Sequence, residues 1–138
     1  MRQGGSMDRI RSIFEGDRLI QDFGMKLLEA REGYAKVSVV VEERFLNAHH
    51  IGHGVLLFAA ADAAFAVSVN ASLDAVGVQW SFNIFRSTTA GDRIKAEAKV
   101  IHRGRSMMVV DFRAESEKTG KLIAQGMATS LPLPKKEK

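Results

Sequence analysis

The chain has 138 residues, of which 46% are hydrophobic and 26% charged, so we expect one globular domain rather than a disordered or low-complexity chain. It contains no cysteine, which excludes disulfides, thiolate nucleophiles, iron–sulfur clusters and cysteine-ligated zinc. Most of the net charge of +4 lies at the two ends of the chain, on Arg2 and the last four residues, so the body predicts no face that binds nucleic acid.

The two ends also bear on domain organisation and location. Residues 1–6 and 132–138 are polar, glycine-bearing or proline-bearing, and we expect them to be loose ends of a single domain over residues 1–138. The first residues lack the apolar run of a signal peptide. The longest apolar stretch, Val55–Ala61, is far shorter than the roughly 20 residues of a membrane span. These features predict a cytoplasmic protein without a membrane segment.

The first half of the chain predicts a short helix followed by a strand pair. Apolar residues at helical spacing predict a helix over Asp8–Phe14, with Asp8 as a candidate cap. Gly24–Ala30 and Tyr34–Val41 are expected to be strands joined by a turn at Glu32–Gly33. The following segment, residues 42–52, is a polar loop with two of the four histidines, and a third, His53, follows it directly.

The stretch Val55–Ala71 predicts a long helix that is apolar on nearly every side. It contains seven alanines and a single charged residue, Asp62. A helix without a polar face is expected to be buried on all sides.

Beyond Leu73–Asp74 the apolar residues alternate with period two, which predicts strands. Turn signals separate these strands at residues 90–92, 103–105 and 118–120. The residues expected to share a face within each strand are Val76, Val78, Trp80, Phe82 and Ile84; Ile94, Ala96, Ala98 and Val100; Met108, Val110, Phe112 and Ala114; and Leu122, Ala124, Gly126 and Ala128. One-faced strands joined by short turns predict an antiparallel sheet of five or six strands, curled around the apolar helix.

Most catalytic motifs are absent. The chain has no nucleophile elbow, P-loop, dinucleotide-binding glycine motif or zincin motif. His49 and His53 are four residues apart but lie in a loop without a nearby carboxylate, so no metal site is predicted. His102 is interpreted as a residue at the end of a strand.

Asp62 is the most unusual residue of the chain. A carboxylate inside an apolar helix costs several kcal/mol if it stays ionised and unpaired, and burial raises its pKa. Such carboxylates concentrate at functional sites, although Asp62 could instead accept hydrogen bonds and serve the fold alone. Upstream, Gly54 lies where the helix begins, and the free N–H groups there suit a carbonyl oxygen. The alternatives are a turn glycine at Gly54 and a loop cap at Asn47.

Three segments together resemble a known family. Leu46–Ala66 (LNAHHIGHGVLLFAAADAAFA), Phe82–Ser106 and Thr119–Ser130 are similar to the hotdog-fold acyl-CoA thioesterases of the phenylacetic-acid-degradation type. The signature of that family is an asparagine, then six residues on a His-Gly-Gly, then an acid in an alanine-rich helix. The resemblance covers roughly residues 24–131.

The resemblance implies an α+β hotdog fold, in which the antiparallel sheet wraps the long central helix. It also implies metal-free and cofactor-free hydrolysis of a small, medium or aromatic acyl-CoA. By position, Asp62 matches the acid that activates water or attacks the thioester, and Gly54 the glycine whose N–H polarises the carbonyl. Asn47 matches the asparagine that orients the reacting groups, and His53 precedes the glycine. The turn made by Arg103, Gly104 and Arg105 matches a turn that contacts CoA phosphates.

Two departures from the family pattern keep other functions open. Val55 replaces the second glycine and is expected to reshape the acyl pocket, and Gly77 stands where relatives often have a serine or threonine. These departures favour a non-hydrolytic acyl-CoA-binding or regulatory module as one alternative. A hotdog dehydratase or hydratase using His53 and Asp62 is the other. The pocket walls are expected to include Phe58, Phe65, Trp80 and Phe82.

Spacing along the helix also predicts an oligomer. Gly54 and Asp62 are eight residues apart, or about 12 Å along a helix, whereas a thioester needs both groups within roughly 3 Å. Two chains related by a twofold axis can supply Gly54 and Asn47 from one and Asp62 from the other. We therefore expect a homodimer with two shared sites, either alone or within a homotetramer.

Overall fold

The computed structural model describes residues 3–134, with side chains from residue 7 onward, and contains three helices and one antiparallel sheet in that range. The elements are α1 (Gln3–Gly16), α2 (Arg18–Asp22), β1 (Lys26–Arg31), β2 (Tyr34–Val40), a 3-10 turn (Glu43–Phe45), α3 (Gly54–Val69), β3 (Ala75–Ile84), β4 (Arg93–Arg103), β5 (Met108–Ser116) and β6 (Leu122–Pro132). The six strands are ordered β1-β2-β4-β5-β6-β3.

The sheet curls around α3, as the sequence predicted. The inward residues of β2, β4 and β5 alternate with outward polar ones and pack against the apolar surface of the helix. The fully buried residues of this core include Val37, Val39, Leu57, Phe65, Ile94, Val110 and Phe112. A six-stranded antiparallel sheet wrapped around one long helix is the hotdog fold.

The loose segment at the start of the chain is shorter than the predicted residues 1–6. The first helix begins at Gln3 and runs to Gly16, so residues 3–6 are helical and Asp8 lies inside the helix rather than capping it. Arg9 ties this helix to the end of α3, because its Nε donates to the Asn70 carbonyl at 2.7 Å and its guanidinium pairs with Asp74. Residues 1 and 2 lie outside the described range.

The other end of the chain is likewise held longer than expected. Pro132 is the last residue of β6, and the Leu133 N–H donates to the Asp74 carbonyl at 2.8 Å. Residues 135–138 lie outside the described range. The sequence also gave no sign of α2, which is only five residues long and starts where the Asp17 carboxylate accepts a hydrogen bond from the Ile20 N–H at 3.1 Å.

One face of α3 is not covered in the single chain, contrary to the expectation of burial on all sides. Val55, Phe58, Asp62 and Ala66 remain partly or largely accessible, and Val55 is 59% exposed. Their spacing of three or four residues places them on one stripe of the helix. We call these four residues the open stripe of α3.

A bulge in β3 overturns part of the predicted strand face. The pairing with β6 shifts between Gly77 and Gln79, so the inward side passes from Gly77 to Trp80 and leaves Val76 and Val78 exposed. A second shift, opposite β5, buries Ile123 in place of the predicted Leu122. The faces predicted for β4 and β5 are confirmed by the buried Ile94, Ala96, Ala98, Met108, Val110, Phe112 and Ala114.

No helix within residues 3–134 is long and apolar enough to cross a membrane.

Candidate active site

The start of α3 presents an unoccupied backbone donor. His53 is the N-cap residue, and its Nδ1 accepts a hydrogen bond from the Val55 N–H at 3.1 Å while its carbonyl accepts from Leu56 at 3.0 Å. The Gly54 N–H has no acceptor among the described residues. The first N–H groups of a helix carry its positive dipole end, so Gly54 offers a donor for a carbonyl oxygen that gains negative charge.

The loop before α3 is folded around Asn47. Its Oδ1 accepts from the His49 N–H at 2.9 Å and more weakly from Ile51 at 3.4 Å, whereas its Nδ2 donates to no described residue. The loop closes against Thr88, whose carbonyl accepts from the Gly52 N–H at 2.8 Å. A Cβ at position 52 would lie 2.0 Å from the Thr88 hydroxyl, so only glycine permits this approach. Asn47 thus orders the loop with its oxygen and keeps its amide donors free.

Asp62 is a half-buried carboxylate without a partner in the described residues. It lies on the open stripe of α3, and no hydrogen bond or ion pair there compensates its charge. Burial, and to a smaller extent the negative charge of Asp17, raises the pKa of the Asp62 carboxyl to about 6. A carboxyl with such a pKa accepts a proton near neutral pH, as a general base must.

The structure brings Asn47, His53 and Gly54 together but not Asp62. Both Gly54 and Asp62 belong to α3, where a separation of eight residues corresponds to about 12 Å along the axis. One chain therefore has the carbonyl-polarising donors at one point and the carboxylate at another.

A pocket of about 210 Å³ opens beside the helix start. Val55 lines it together with His53, and its apolar walls come from Phe23, Phe45, Leu46 and Leu56, with Arg44 at the side. The sequence had singled out Val55 here but missed Phe23 and Phe45, because their approach depends on α2 and the 3-10 turn, neither of which it predicted. In the part of the chain that the structure describes, no three histidine or acidic side chains converge as metal ligands.

An aromatic cluster borders the open stripe on its other side. Trp80 packs against Phe58 and Phe65, each with ring centroids 4.7 Å away, and against Phe112 at 5.3 Å. Of the four predicted pocket walls, Phe58, Trp80 and Phe82 keep accessible surface, but Phe65 is fully buried. Gly77 is explained by the same cluster, because a Cβ there would lie 3.0 Å from both Phe65 and the Trp80 Nε1.

A cationic cleft of about 390 Å³ lies at the end of β4. Arg103 shares it with Arg31, Lys99 and His102, and Arg103 and Lys99 have no carboxylate within 4.0 Å among the described residues. Arg105 is exposed on the adjacent turn, which the Gly104 N–H closes with a 2.8 Å bond to the Met107 carbonyl. Sequence reasoning found Arg103 and Arg105 but missed Lys99, which lies on the same strand as Arg103. It also missed Arg31, which the pairing of β1 with β2 and of β2 with β4 brings close.

Comparisons with known proteins agree with this architecture. Residues 49–123 match the family model described as the thioesterase superfamily. The acyl-coenzyme A thioesterase PaaI of Escherichia coli is 34% identical over 102 residues, which cover 73% of each chain. The structure of the E. coli PaaI protein superposes with a TM-score of 0.91 at 28% identity, over 96% of both chains.

A second solved structure extends the likeness to another organism. A single-residue variant of the phenylacetic acid degradation protein PaaI from Thermus thermophilus is 32% identical, with a TM-score of 0.81 over 85% of this chain and all of the other. The matched segment includes both the start of α3 and Asp62. On these similarities of sequence and fold, the chain belongs to the thioesterase superfamily.

Proposed function

We propose that the protein is an acyl-CoA thioesterase that hydrolyses a small, medium or aromatic acyl-CoA to the free acid and CoA. The observation that carries this proposal is Asp62, an unpaired and half-buried carboxylate on the open stripe of an otherwise buried helix. Its setting is costly for folding and suited to proton transfer. The 34% sequence identity with the E. coli acyl-CoA thioesterase supports acyl-CoA as the substrate class.

In the proposed reaction the ionised Asp62 takes a proton from water as the water oxygen bonds to the thioester carbonyl carbon. The Gly54 N–H stabilises the oxyanion, and the Asn47 amide orients the reacting groups. The carbon–sulfur bond then breaks, and the departing CoA sulfur takes up a proton. Direct attack by Asp62 on the carbonyl, with later hydrolysis of the anhydride, uses the same groups.

This chemistry requires two chains, because about 12 Å separates Gly54 from Asp62 along one helix. The open stripe of α3 and the unpaired edge of β3 are the surfaces that a second copy would cover. The exposed apolar residues Val78, Ile84 and Phe85 at and just beyond that edge favour such pairing. We propose a twofold dimer in which Gly54 and Asn47 of one chain face Asp62 of the other.

We further propose that Arg103 and Arg105 bind the phosphates of CoA. The cleft carries three cationic side chains, Arg31, Lys99 and Arg103, against one acidic side chain, Glu32. Guanidinium groups suit phosphate by charge and by fork geometry. Within the cleft, Arg103 and Lys99 have no carboxylate partner among the described residues and are therefore free to bind an anion of this kind.

The main test is release of free CoA from a panel of acyl-CoAs by the wild type and Asp62→Asn. We expect the variant to keep its fold, since no described group depends on the charge, and to lose about 10²–10⁴-fold in kcat. Asp111→Asn is the matched control, because Asp111 is also half-buried but lies on the outer face of β5. Binding without CoA release would indicate a non-hydrolytic module, and water addition to an enoyl-CoA a hydratase.

The CoA site is tested by comparing a full acyl-CoA with a short thioester that lacks the nucleotide. Arg103→Ala and Arg105→Ala should each raise KM for the acyl-CoA by about three- to tenfold. The same variants should leave hydrolysis of the short thioester unchanged. Lys121→Ala, at the opposite end of β5, controls for loss of charge alone. An equal effect on both substrates would contradict the assignment.

A further inference from the structure

We propose that Trp80 is a positioning residue whose indole N–H holds the water on which Asp62 acts. This inference rests on the proposed function and assigns a hydrogen-bond donor to a chain that has Gly77 where relatives often have a serine or threonine. It follows from where the Trp80 ring lies, from the glycine beside its nitrogen, and from the absence of a competing acceptor.

The ring lies over the part of α3 that carries Asp62. Phe58 and Phe65 are seven residues apart, almost two turns, and Trp80 has its centroid 4.7 Å from each of their rings. Asp62 lies between them, four residues after one and three before the other, within the same arc of the helix surface. An indole that touches both phenylalanines therefore spans the level of the carboxylate.

The indole nitrogen of Trp80 can occupy its position only because residue 77 is glycine. An ideal Cβ at Gly77 would lie 3.0 Å from the Trp80 Nε1 and 3.0 Å from Phe65, so the space of a side chain there is taken by the two rings. The bulge between Gly77 and Gln79 turns both Gly77 and Trp80 to the inner face of the sheet. Glycine and tryptophan at these positions therefore belong together.

The indole N–H also lacks a partner. Among the described residues no acceptor receives it, although a buried tryptophan N–H usually has one. The ring is only half-buried, so a water or a ligand can reach it. Ser130, paired across from Gly77, is a rival donor, but its hydroxyl is sealed inside the core and cannot face a substrate.

A donor suits the proposed reaction at this place. Indole nitrogen donates and never accepts, so it binds an oxygen lone pair of a water molecule. That water gives one proton to Asp62, keeps a second lone pair for the carbonyl carbon, and forms the new carbon–oxygen bond. The carbon–sulfur bond breaks as before, and Trp80 itself neither gains nor loses a proton.

The first test is spectroscopic and independent of turnover. Trp80 is the only tryptophan of the chain, so its fluorescence reports this place alone. We expect the emission of the wild type to titrate between about pH 4 and 8 and the titration to vanish in Asp62→Asn. Asp17→Asn should keep the titration, which separates Asp62 from the nearby acid. An emission that does not depend on pH, or that titrates equally in Asp62→Asn, overturns the placement even if the enzyme is active.

The second test exchanges the two donors. Trp80→Phe should lower kcat about tenfold and change KM less than twofold, because the ring stays and the N–H is lost. Gly77→Ser should lower activity in the wild type, where its side chain meets Phe65 and Trp80. In the Trp80→Phe background the contact with the indole nitrogen is gone and only the Phe65 ring has to shift, so the hydroxyl can replace the indole donor and activity should rise. Unchanged kcat in Trp80→Phe, or a double variant no better than Trp80→Phe, overturns the proposal. Failure of the proposed function itself shows instead as absent hydrolysis in the wild type.

Discussion

At the scale of single residues, Asp62 was visible in the sequence because it is the single charged residue of the apolar stretch 55–71. The structure adds what the sequence could not: the carboxylate has no partner in the described residues, and a negative neighbour, Asp17, stands near it. Asp17 is distant in sequence and comes close only because α2 packs near α3. The role of His53 as the N-cap of α3 was equally beyond a sequence pattern, since it depends on the 3.1 Å bond from the Val55 N–H.

The raised pKa of Asp62 predicts a pH dependence with a definite sign. The ionised carboxylate is the active form, so kcat/KM should fall as the pH drops through about 6. Asp17→Asn removes the negative charge yet keeps an oxygen that can cap α2, so it should lower the pKa of Asp62 and move this acidic limb to lower pH. Profiles of kcat/KM for the two proteins measure the shift. A limb that stays in place would mean that Asp17 does not act on the catalytic carboxylate.

The Gly54 N–H can be removed without disturbing the helix. Proline lacks this group and is favoured at the first helical position, and His53 already has the extended backbone (φ −65°, ψ 138°) that a residue before proline needs. We expect Gly54→Pro to lower kcat by about 10²–10³-fold with a nearly unchanged melting temperature. Gly54→Ala retains the N–H and contacts only the flexible end of Ile84, so it is the control. Equal activity of the two variants would remove Gly54 from the mechanism.

At the scale of elements, regular strands were predictable and their irregularities were not. Strict alternation placed the inner faces of β4 and β5 correctly, because the shift in their pairing adds a residue to β4 only after Val100, where its predicted face ends, and leaves the alternation of β5 unbroken. In β3 the same alternation failed at Val76 and Val78, since the bulge changes the side to which each residue points. The position of a bulge depends on packing between strands, here on the fit of Trp80 beside Gly77. The residue pattern of a single strand does not contain that information.

Gly126 on β6 is an element-scale requirement that can be tested by stability. It is paired with Phe82 on one side and Phe112 on the other, and the centroids of these two rings are 5.4 Å apart. A Cβ at this position would lie 1.9 Å from the Ser81 carbonyl oxygen and 2.7 Å from Phe112. Gly126→Ala should therefore lower the free energy of unfolding by about 1–3 kcal/mol in urea denaturation. Gly16→Ala, where a Cβ meets nothing within 4 Å, should be neutral or stabilising.

At the scale of the whole molecule, the sheet curled around an apolar helix could be predicted. The sequence shows both the apolar helix and the alternating strands, and these elements must bury their apolar faces against each other. The uncovered side of α3 could not, since Val55, Phe58 and Ala66 look like core residues in the sequence. The single chain leaves them open and leaves β3 with one free edge. An apolar stripe and an unpaired strand that border the same carboxylate favour a second copy as the missing wall.

The decisive whole-molecule prediction is complementation between two inactive chains. In the proposed dimer each site takes Gly54 from one chain and Asp62 from the other, so an Asp62→Asn chain paired with a Gly54→Pro chain forms one site with both groups intact and one with neither. Statistical mixing of equal amounts makes half of the dimers mixed, each with one working site, and should restore about a quarter of wild-type kcat.

The chains are mixed under conditions that allow subunit exchange, and CoA release is followed over time. Each variant alone, carried through the same exchange, controls for recovery without mixing. If mixed dimers form, as shown by mass-tagged chains, and activity stays at the level of the separate variants, both groups must come from one chain and the shared-site proposal is wrong.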